Sequence, residues 1–169
     1  MLVDMKTIHS CRDWDENMHT VESKDLAFRI SCYGIIIQDE KILLSPQRDG
    51  YDFPGGGMDI DETLEECLIR EVKEETGIII RPGQCISAEH DMYYSLSSQQ
   101  AYNNPLLYFL CHNPQGEIST DGFDEYEREY ARKAEWVALD HIEDIKFHNP
   151  IDSVSVIRKA FAVESKREE

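Results

Sequence analysis

Glu71, Glu74 and Glu75 stand at i, i+3 and i+4, with Arg70 directly before them. On a helix this spacing puts the three carboxylates on neighbouring positions of one face. Like charges so placed weaken a helix, and negative charge near its C-terminus opposes the macrodipole. Oxygen donors of flexible denticity and like sign suit a hard divalent cation, Mg²⁺ or Mn²⁺, which would offset both costs. Arg70, one turn before Glu74, supplies a fixed charge able to orient that carboxylate. A solvated acidic helix end is the plainer alternative, and spacing alone leaves both open.

The elements that must position these residues are legible nearby. Thr63 followed by Glu66 fits a capping box, and Gly77 is placed to end the helix, which predicts a helix over residues 63–76. With Leu64 at zero and about 100° per residue, Leu68 and Val72 fall near 40° and 80°, and Cys67 near −60°. On the same wheel Glu71 and Glu75 fall at about −20° and 20°, inside the apolar stripe, and Glu74 at about −80°, at its edge. Two of the glutamates thus point where the helix packs, and partly desolvated carboxylates of like sign need compensation. Before the helix, Phe53 and Pro54 stiffen the entry to Gly55, Gly56 and Gly57, a triplet that lets backbone N–H groups approach an anion. A plain turn explains a glycine triplet equally well, and no Walker-type phosphate loop is present.

Along the rest of the chain, residues 27–38 read as a strand and 41–47 as its hairpin partner. Residues 48–61 read as a Gly- and Pro-containing loop, 78–83 as a short strand and turn, and 84–96 as a further strand. A polar loop is expected over 95–104, a buried strand over 105–112, a long acidic loop with some helix over 113–134, and a short strand over 135–139. Asn149 and Pro150 read as N-cap and first turn of a last helix carrying Ile151, Val154, Ile157 and Phe161. Strands before, between and after two helices predict an α/β fold, a mixed sheet with helices on both sides. Residues 1–25 read as an N-terminal arm or strand, and 26–169 as one domain.

Composition narrows the partners. The 169 residues carry 34 acidic and 17 basic side chains, a net charge of −17. Such a surface repels the backbone of DNA or RNA duplexes, so a phosphate ester would approach only with a divalent cation between. No apolar run reaches the length of a membrane span, and the N-terminus lacks a signal-peptide layout, so the expected setting is cytoplasmic, away from membranes. Five scattered cysteines without a CxxC pair speak against a disulfide framework or zinc site. A homodimer is left open.

Taken together, Gly56-x5-Glu62-x7-Arg70-Glu71-Val72-x-Glu74-Glu75-x-Gly77-Ile78 resembles the Nudix box with every defining position filled. The order of elements around it is also similar to that family, over residues 27–163. The resemblance implies a Nudix-type α/β/α sandwich, a mixed β-sheet flanked by helices. It implies Mg²⁺-dependent hydrolysis of the pyrophosphate bond in a nucleoside diphosphate linked to another moiety: a nucleoside triphosphate, dinucleoside polyphosphate, ADP-ribose or nucleotide sugar. By position, Glu71, Glu74 and Glu75 become metal ligands, with Mn²⁺ as substitute, and Arg70 orients them. Glu71, Glu74 and Arg70 form the catalytic set, Gly55, Gly56 and Gly57 the phosphate loop, and Glu62 and Gly77 its structural supports.

The family often adds a glutamate as further ligand or base from the loop before the Trp136 strand. Of Glu125, Glu127, Glu129 and Glu135, Glu129 is the choice, with a solvated acidic loop the competing reading. Relatives acting on ADP-ribose tend to carry a proline near the position of Tyr93, and tyrosine there resembles the group acting on diadenosine polyphosphates. Gly57 stands where some triphosphate-cleaving relatives have lysine, and the upstream mark of coenzyme A relatives is missing. Tyr51, Phe53 and Tyr93 are candidate base-stacking residues, core packing being the alternative. The rival from another class is a nucleotide-sensing domain without turnover, and the complete set of Arg70, Glu71, Glu74 and Glu75 speaks against it.

Overall fold

The computed structural model describes residues 8–123 and 132–167. Within them the chain builds strands β1 (Ile8–Arg12), β2 (Met18–Glu22), β3 (Leu26–Phe28), β4 (Ser31–Gln38), β5 (Lys41–Gln47), β6 (Gly50–Asp52) and β7 (Gly55–Gly57). Helix α1 (Leu64–Thr76), strands β8 (Ile79–Ser95), β9 (Gln100–Gln115) and β10 (Glu135–Ala138), and helix α2 (Ser153–Ser165) follow. The sheet runs β10-β5-β4-β9-β8-β1-β2, with β3 on β9, β6 on β5 and β7 on β4. It is mixed: β4 and β9 pair in parallel, as do β1 and β8, whereas β8 and β9 pair antiparallel.

Strand alternation splits the core into two layers. Ile35, Ile42, Leu44 and Leu110 pack on one face with Val156, Ile157 and Ala160 of α2. Their neighbours Ile36, Leu43 and Cys111 turn to the other face and meet Cys67, Leu68 and Val72 of α1. A period of two buries successive residues against different helices only when a sheet lies between them. That is the α/β/α sandwich expected from the sequence.

Four local differences from the sequence reading have physical causes. First, the segment expected to be a loop over 48–61 contains β6 and β7, because Cys32 of β4 pairs with Gly56 and Ser45 of β5 with Asp52. Second, residues 79–95 form one strand with register shifts between Ile79 and Ser87, where Pro82 lacks an N–H and the ladder bulges instead of ending. Third, β9 begins at Gln100, inside the expected polar loop, because this stretch is held in the ladder by β3 on one side and β8 on the other. Fourth, α2 starts later than expected: Asp152 caps it, accepting from Ser155 N at 3.0 Å, while Asn149 is buried.

The N-terminal residues described form a hairpin, with Ser10 of β1 opposite Thr20 of β2, and Arg12 beside Tyr93 of β8. Among the described residues no helix is long and apolar enough to cross a membrane.

Candidate active site

Helix α1 begins with both halves of its capping box: Glu66 N donates to Thr63 Oγ1 at 3.3 Å, and Thr63 N to Glu66 Oε2 at 2.9 Å. It ends at Gly77, whose φ of +76° is a left-handed turn that suits glycine. Between these ends, Cys67, Leu68 and Val72 are buried against the sheet, fixing the rotation of the helix. Leu64, assigned to the packed stripe by the wheel, is exposed.

That rotation puts Arg70 at the centre of a carboxylate cluster. Its guanidinium donates through Nε to Glu62 Oε1 at 2.5 Å and through Nη2 to Glu62 Oε2 at 2.8 Å, a bidentate fork. Nη1 donates to Glu71 Oε1 at 2.9 Å and to Glu74 Oε2 at 3.1 Å, and Nη2 also reaches Gly57 O at 3.2 Å. Glu75 turns the other way and accepts from Gly55 N at 3.1 Å and Ser45 Oγ at 3.2 Å. Gly56 packs so closely on Glu71 that a Cβ there would lie 2.6 Å from Oε2. The absence of a side chain is what lets the β7 backbone reach that carboxylate.

The cluster is electrostatically uneven. The Arg70 fork holds the Glu62 carboxyl down at about 2. Burial raises the Glu71 carboxyl above its ordinary value, against the pull of Arg70. Three carboxylates share one guanidinium here, leaving two formal negative charges before Glu75 is counted. In this arrangement no three His, Cys, Asp or Glu side chains among the described residues converge as a metal cage. Glu71 and Glu74 are turned to Arg70, and Glu75 to the backbone of Gly55.

Beside the cluster opens a cavity of about 580 Å³ lined by Gly55, Gly56, Arg70, Glu71, Glu74 and Glu75 at one end. Tyr33, which pairs directly with Gly55, lines it too, as do Asp52, Phe53, Asn104, Phe147 and Asn149. Tyr33 stacks on Tyr108 with centroids 5.2 Å apart, and Phe53 on Phe147 at 5.7 Å. Asp52 is buried beneath them, accepts from Phe53 N at 2.7 Å, and burial pushes its carboxyl up to about 7. Ser31 Oγ donates to Asn104 Oδ1 at 3.0 Å. Gln47 Oε1 and Asn149 Oδ1 are buried, border the cavity and have no hydrogen-bond partner among the described residues.

The sequence-predicted residues therefore divide. Arg70, Glu71, Glu74, Glu75, Gly55 and Gly56 line the cavity together, and Glu62, Gly57 and Gly77 support them from outside its lining. Phe53 and Tyr93 border the cavity, whereas Tyr51 does not line it and its hydroxyl donates to Glu135. Glu125, Glu127 and Glu129 lie outside the described residues. Sequence reasoning missed Arg29, Gln47, Asp52 and Asn149, which also line the cavity. They come from separate elements, so no spacing announces them. The one available signal was the polar character of residues such as Asn149 beside an apolar helix.

Sequence relatives share part of the chain. An ADP-ribose pyrophosphatase from Methanocaldococcus jannaschii is 47% identical over 55 residues, 30% of this chain and 32% of that protein. An RNA pyrophosphohydrolase from Xanthomonas campestris pv. campestris is 29% identical over 108 residues, 57% of this chain and 53% of that protein. The chain thus spans about a third to about half the length of these curated relatives. The crystal structure of a MutT protein from Methanosarcina mazei Go1 has the same fold, with a TM-score of 0.60 at 20% identity, covering 86% of this chain and 99% of that one. The NUDIX domain model matches residues 28–157, a span from the end of β3 into α2 that holds the whole carboxylate cluster. This chain belongs to the NUDIX domain family.

Proposed function

We propose that the protein is a Mg²⁺-dependent Nudix hydrolase that cleaves the pyrophosphate bond of a nucleoside diphosphate linked to another moiety. The observation that carries this reading is the Arg70-centred cluster, with Glu71, Glu74 and Glu75 all bordering a nucleotide-sized cavity. The relatives' names, pyrophosphatase and pyrophosphohydrolase, support the same reaction class.

The donor set fits a hard divalent cation. Its atoms are carboxylate oxygens, they carry excess negative charge, and Glu71 is partly desolvated. Glu71, Glu74 and Glu75 would hold the ion, with Mn²⁺ as substitute. When bound, it neutralises phosphate charge and lowers the pKa of a water for in-line attack. Arg70 keeps Glu71 and Glu74 together and, through Glu62, ties α1 to the loop that precedes it. Gly55, Gly56 and Gly57 of β7 form the phosphate side, where the missing side chains leave room beside Glu71 and Glu75, and Phe53 and Tyr93 flank the base. Glu129 is assigned as further ligand or base.

The test is a panel of nucleoside triphosphates, ADP-ribose, nucleotide sugars and dinucleoside polyphosphates incubated with Mg²⁺, with EDTA controls. Metal-dependent release of a nucleoside phosphate from at least one is expected. No release from any, with nucleotide binding retained, would instead make the protein a sensor. The complete carboxylate set argues against that outcome.

A further inference from the structure

The β1–β2 hairpin lies outside the family-matched residues 28–157, yet Arg12, Asp13, Trp14 and Glu16 line the cavity. The turn ends of its two strands are fixed on the β8 side, where Arg12 pairs with Tyr93 and the His19 ring stacks on Tyr94 with centroids 4.0 Å apart. Its tip reaches the opposite rim. Asp15 Oδ1 accepts from Arg48 Nη1 at 2.7 Å on the β5–β6 turn, and the Trp14 ring stands 5.3 Å from that of His148, ahead of α2. The Arg48 guanidinium lies over the same indole, 5.5 Å from its centroid.

The tip is a built turn rather than a loose loop. Buried Asp13 accepts from Asp15 N and Asn17 N, each at 2.9 Å, and meets His19 Nε2 at 2.7 Å. These bonds spend the whole Asp13 carboxylate on holding the turn, so Trp14 is presented from a fixed frame. The segment thus crosses from one wall of the cavity to the other, over a space of about 580 Å³ that suits one nucleotide-sized ligand. A nucleotide at the 5′ end of an RNA must let the chain leave the site, and the acidic surface of net charge −17 gives that chain no attraction.

We infer that the hairpin tip, Asp13–Asn17, is a strap over the substrate cavity that supplies Trp14 as a stacking surface and restricts the enzyme to free, compact nucleotides, excluding RNA 5′ ends. This rests on the hydrolase reading above. Trp14 is a binding and specificity residue, and Asp13 and Arg48 are positioning residues that act through it.

The test compares kcat and KM for the best substrate of the nucleotide panel and for a short 5′-triphosphorylated RNA. The wild-type protein is expected to favour the small nucleotide by about tenfold or more in kcat/KM, equivalent to about 1.4 kcal/mol. Trp14→Ala should raise KM for the nucleotide about tenfold with kcat nearly unchanged, and Trp14→Phe should restore most of it. The Asp15→Ala/Arg48→Ala pair, which frees the tip from the far rim, should narrow the preference against RNA. Equal use of RNA by the wild-type protein, or an unchanged KM in Trp14→Ala with its fold intact by circular dichroism, overturns the strap. A second readout does not need turnover. Trp136→Phe leaves Trp14 as the single tryptophan, and its fluorescence should change saturably with α,β-methylene-ADP and Mg²⁺. If no substrate is cleaved, the hydrolase reading falls, and this titration still decides the strap: no change in emission sinks it.

Discussion

Two carboxyl groups beside one cavity are pushed in opposite directions. Glu62, forked by Arg70, is held down at about 2, whereas Asp52, buried among Tyr33, Phe53 and Tyr108, is pushed up to about 7. The first belongs to a group of three carboxylates gathered on the Arg70 guanidinium. The second belongs to an end of stacked rings and neutral amides, where burial favours the uncharged form. On the proposed hydrolase reading, the contrast suits a ligand that is both a polyanion and a heterocycle. Ionised groups suit a cation-bridged phosphate, and desolvated hydrogen-bonding groups such as Asn149 and Gln47 suit a base edge.

The largest expected effect breaks the ionised end. Glu74→Gln or Glu75→Gln keeps size and acceptor oxygen but removes one charge from the donor set. Turnover should fall by more than the ~10–100-fold typical of losing an outer-shell partner of a metal. Stability should change by less than about 1 kcal/mol, because Glu74 is half exposed and glutamine still accepts from Gly55 N and Ser45 Oγ at the other position. Steady-state kinetics beside thermal melts distinguish the cases. Equal losses in both would make the cluster a structural device, and the contrast between the two ends would lose its functional meaning.

The next effect tests the neutral end through pH. The folded-state value of Asp52, about 7, lies above its ordinary 3.8, so between these values the folded protein keeps a proton that the unfolded chain has released. Stability from this group is therefore fullest below about pH 4, falls as pH rises by up to about 1.4 kcal/mol per pH unit, and levels off above about pH 7. Asparagine has the shape of the protonated acid and keeps an oxygen for Phe53 N. In denaturant titrations the Asp52→Asn variant should gain on the wild-type protein steadily from about pH 5 to 7. A constant difference across that window would mean that Asp52 is ionised throughout, and that both ends of the cavity are charged.

The same contrast explains what could be read from the sequence. The ionised end is encoded within residues 55–78: the capping box, the glycine terminator and the i, i+3, i+4 glutamates each act over a turn or two, and the apolar stripe sets their rotation. Local rules suffice there, and only Leu64 fell on the wrong side. The two-layer core was legible for a related reason, since the near-continuous apolar runs in residues 31–47 and 105–112 mark strands covered on both faces. The neutral end is a product of topology. Gln47 ends β5, Asp52 ends β6, Asn104 sits in a polar stretch of β9, and Asn149 looks in sequence like a helix cap. Its side chain instead turns inward, Nδ2 lying 3.4 Å from the Tyr108 hydroxyl, because Asp152 already satisfies the start of α2. No pattern of spacing brings these residues together. The hairpin was hidden for the same reason, because Arg12 finds Tyr93 only after β8 is laid on the sheet.

The smallest expected effect asks how local the ionised end is. Thr63 caps α1 from an exposed position two turns before Glu71, and its bonds with Glu66 satisfy N–H groups that α1 itself leaves unpaired. Thr63→Ala should cost about 1 kcal/mol of stability, read from denaturant midpoints. Turnover at saturating Mg²⁺ should stay at the wild-type level, because Glu71, Glu74 and Glu75 are positioned by Arg70, Gly55 and the packed turns holding Leu68 and Val72, none of which touches the cap. Loss of turnover in step with stability would show the carboxylates to depend on the whole helix. The charged end would then be as much a product of long-range assembly as the neutral one, and its legibility would owe to the density of signals in one segment rather than to the local character of the site.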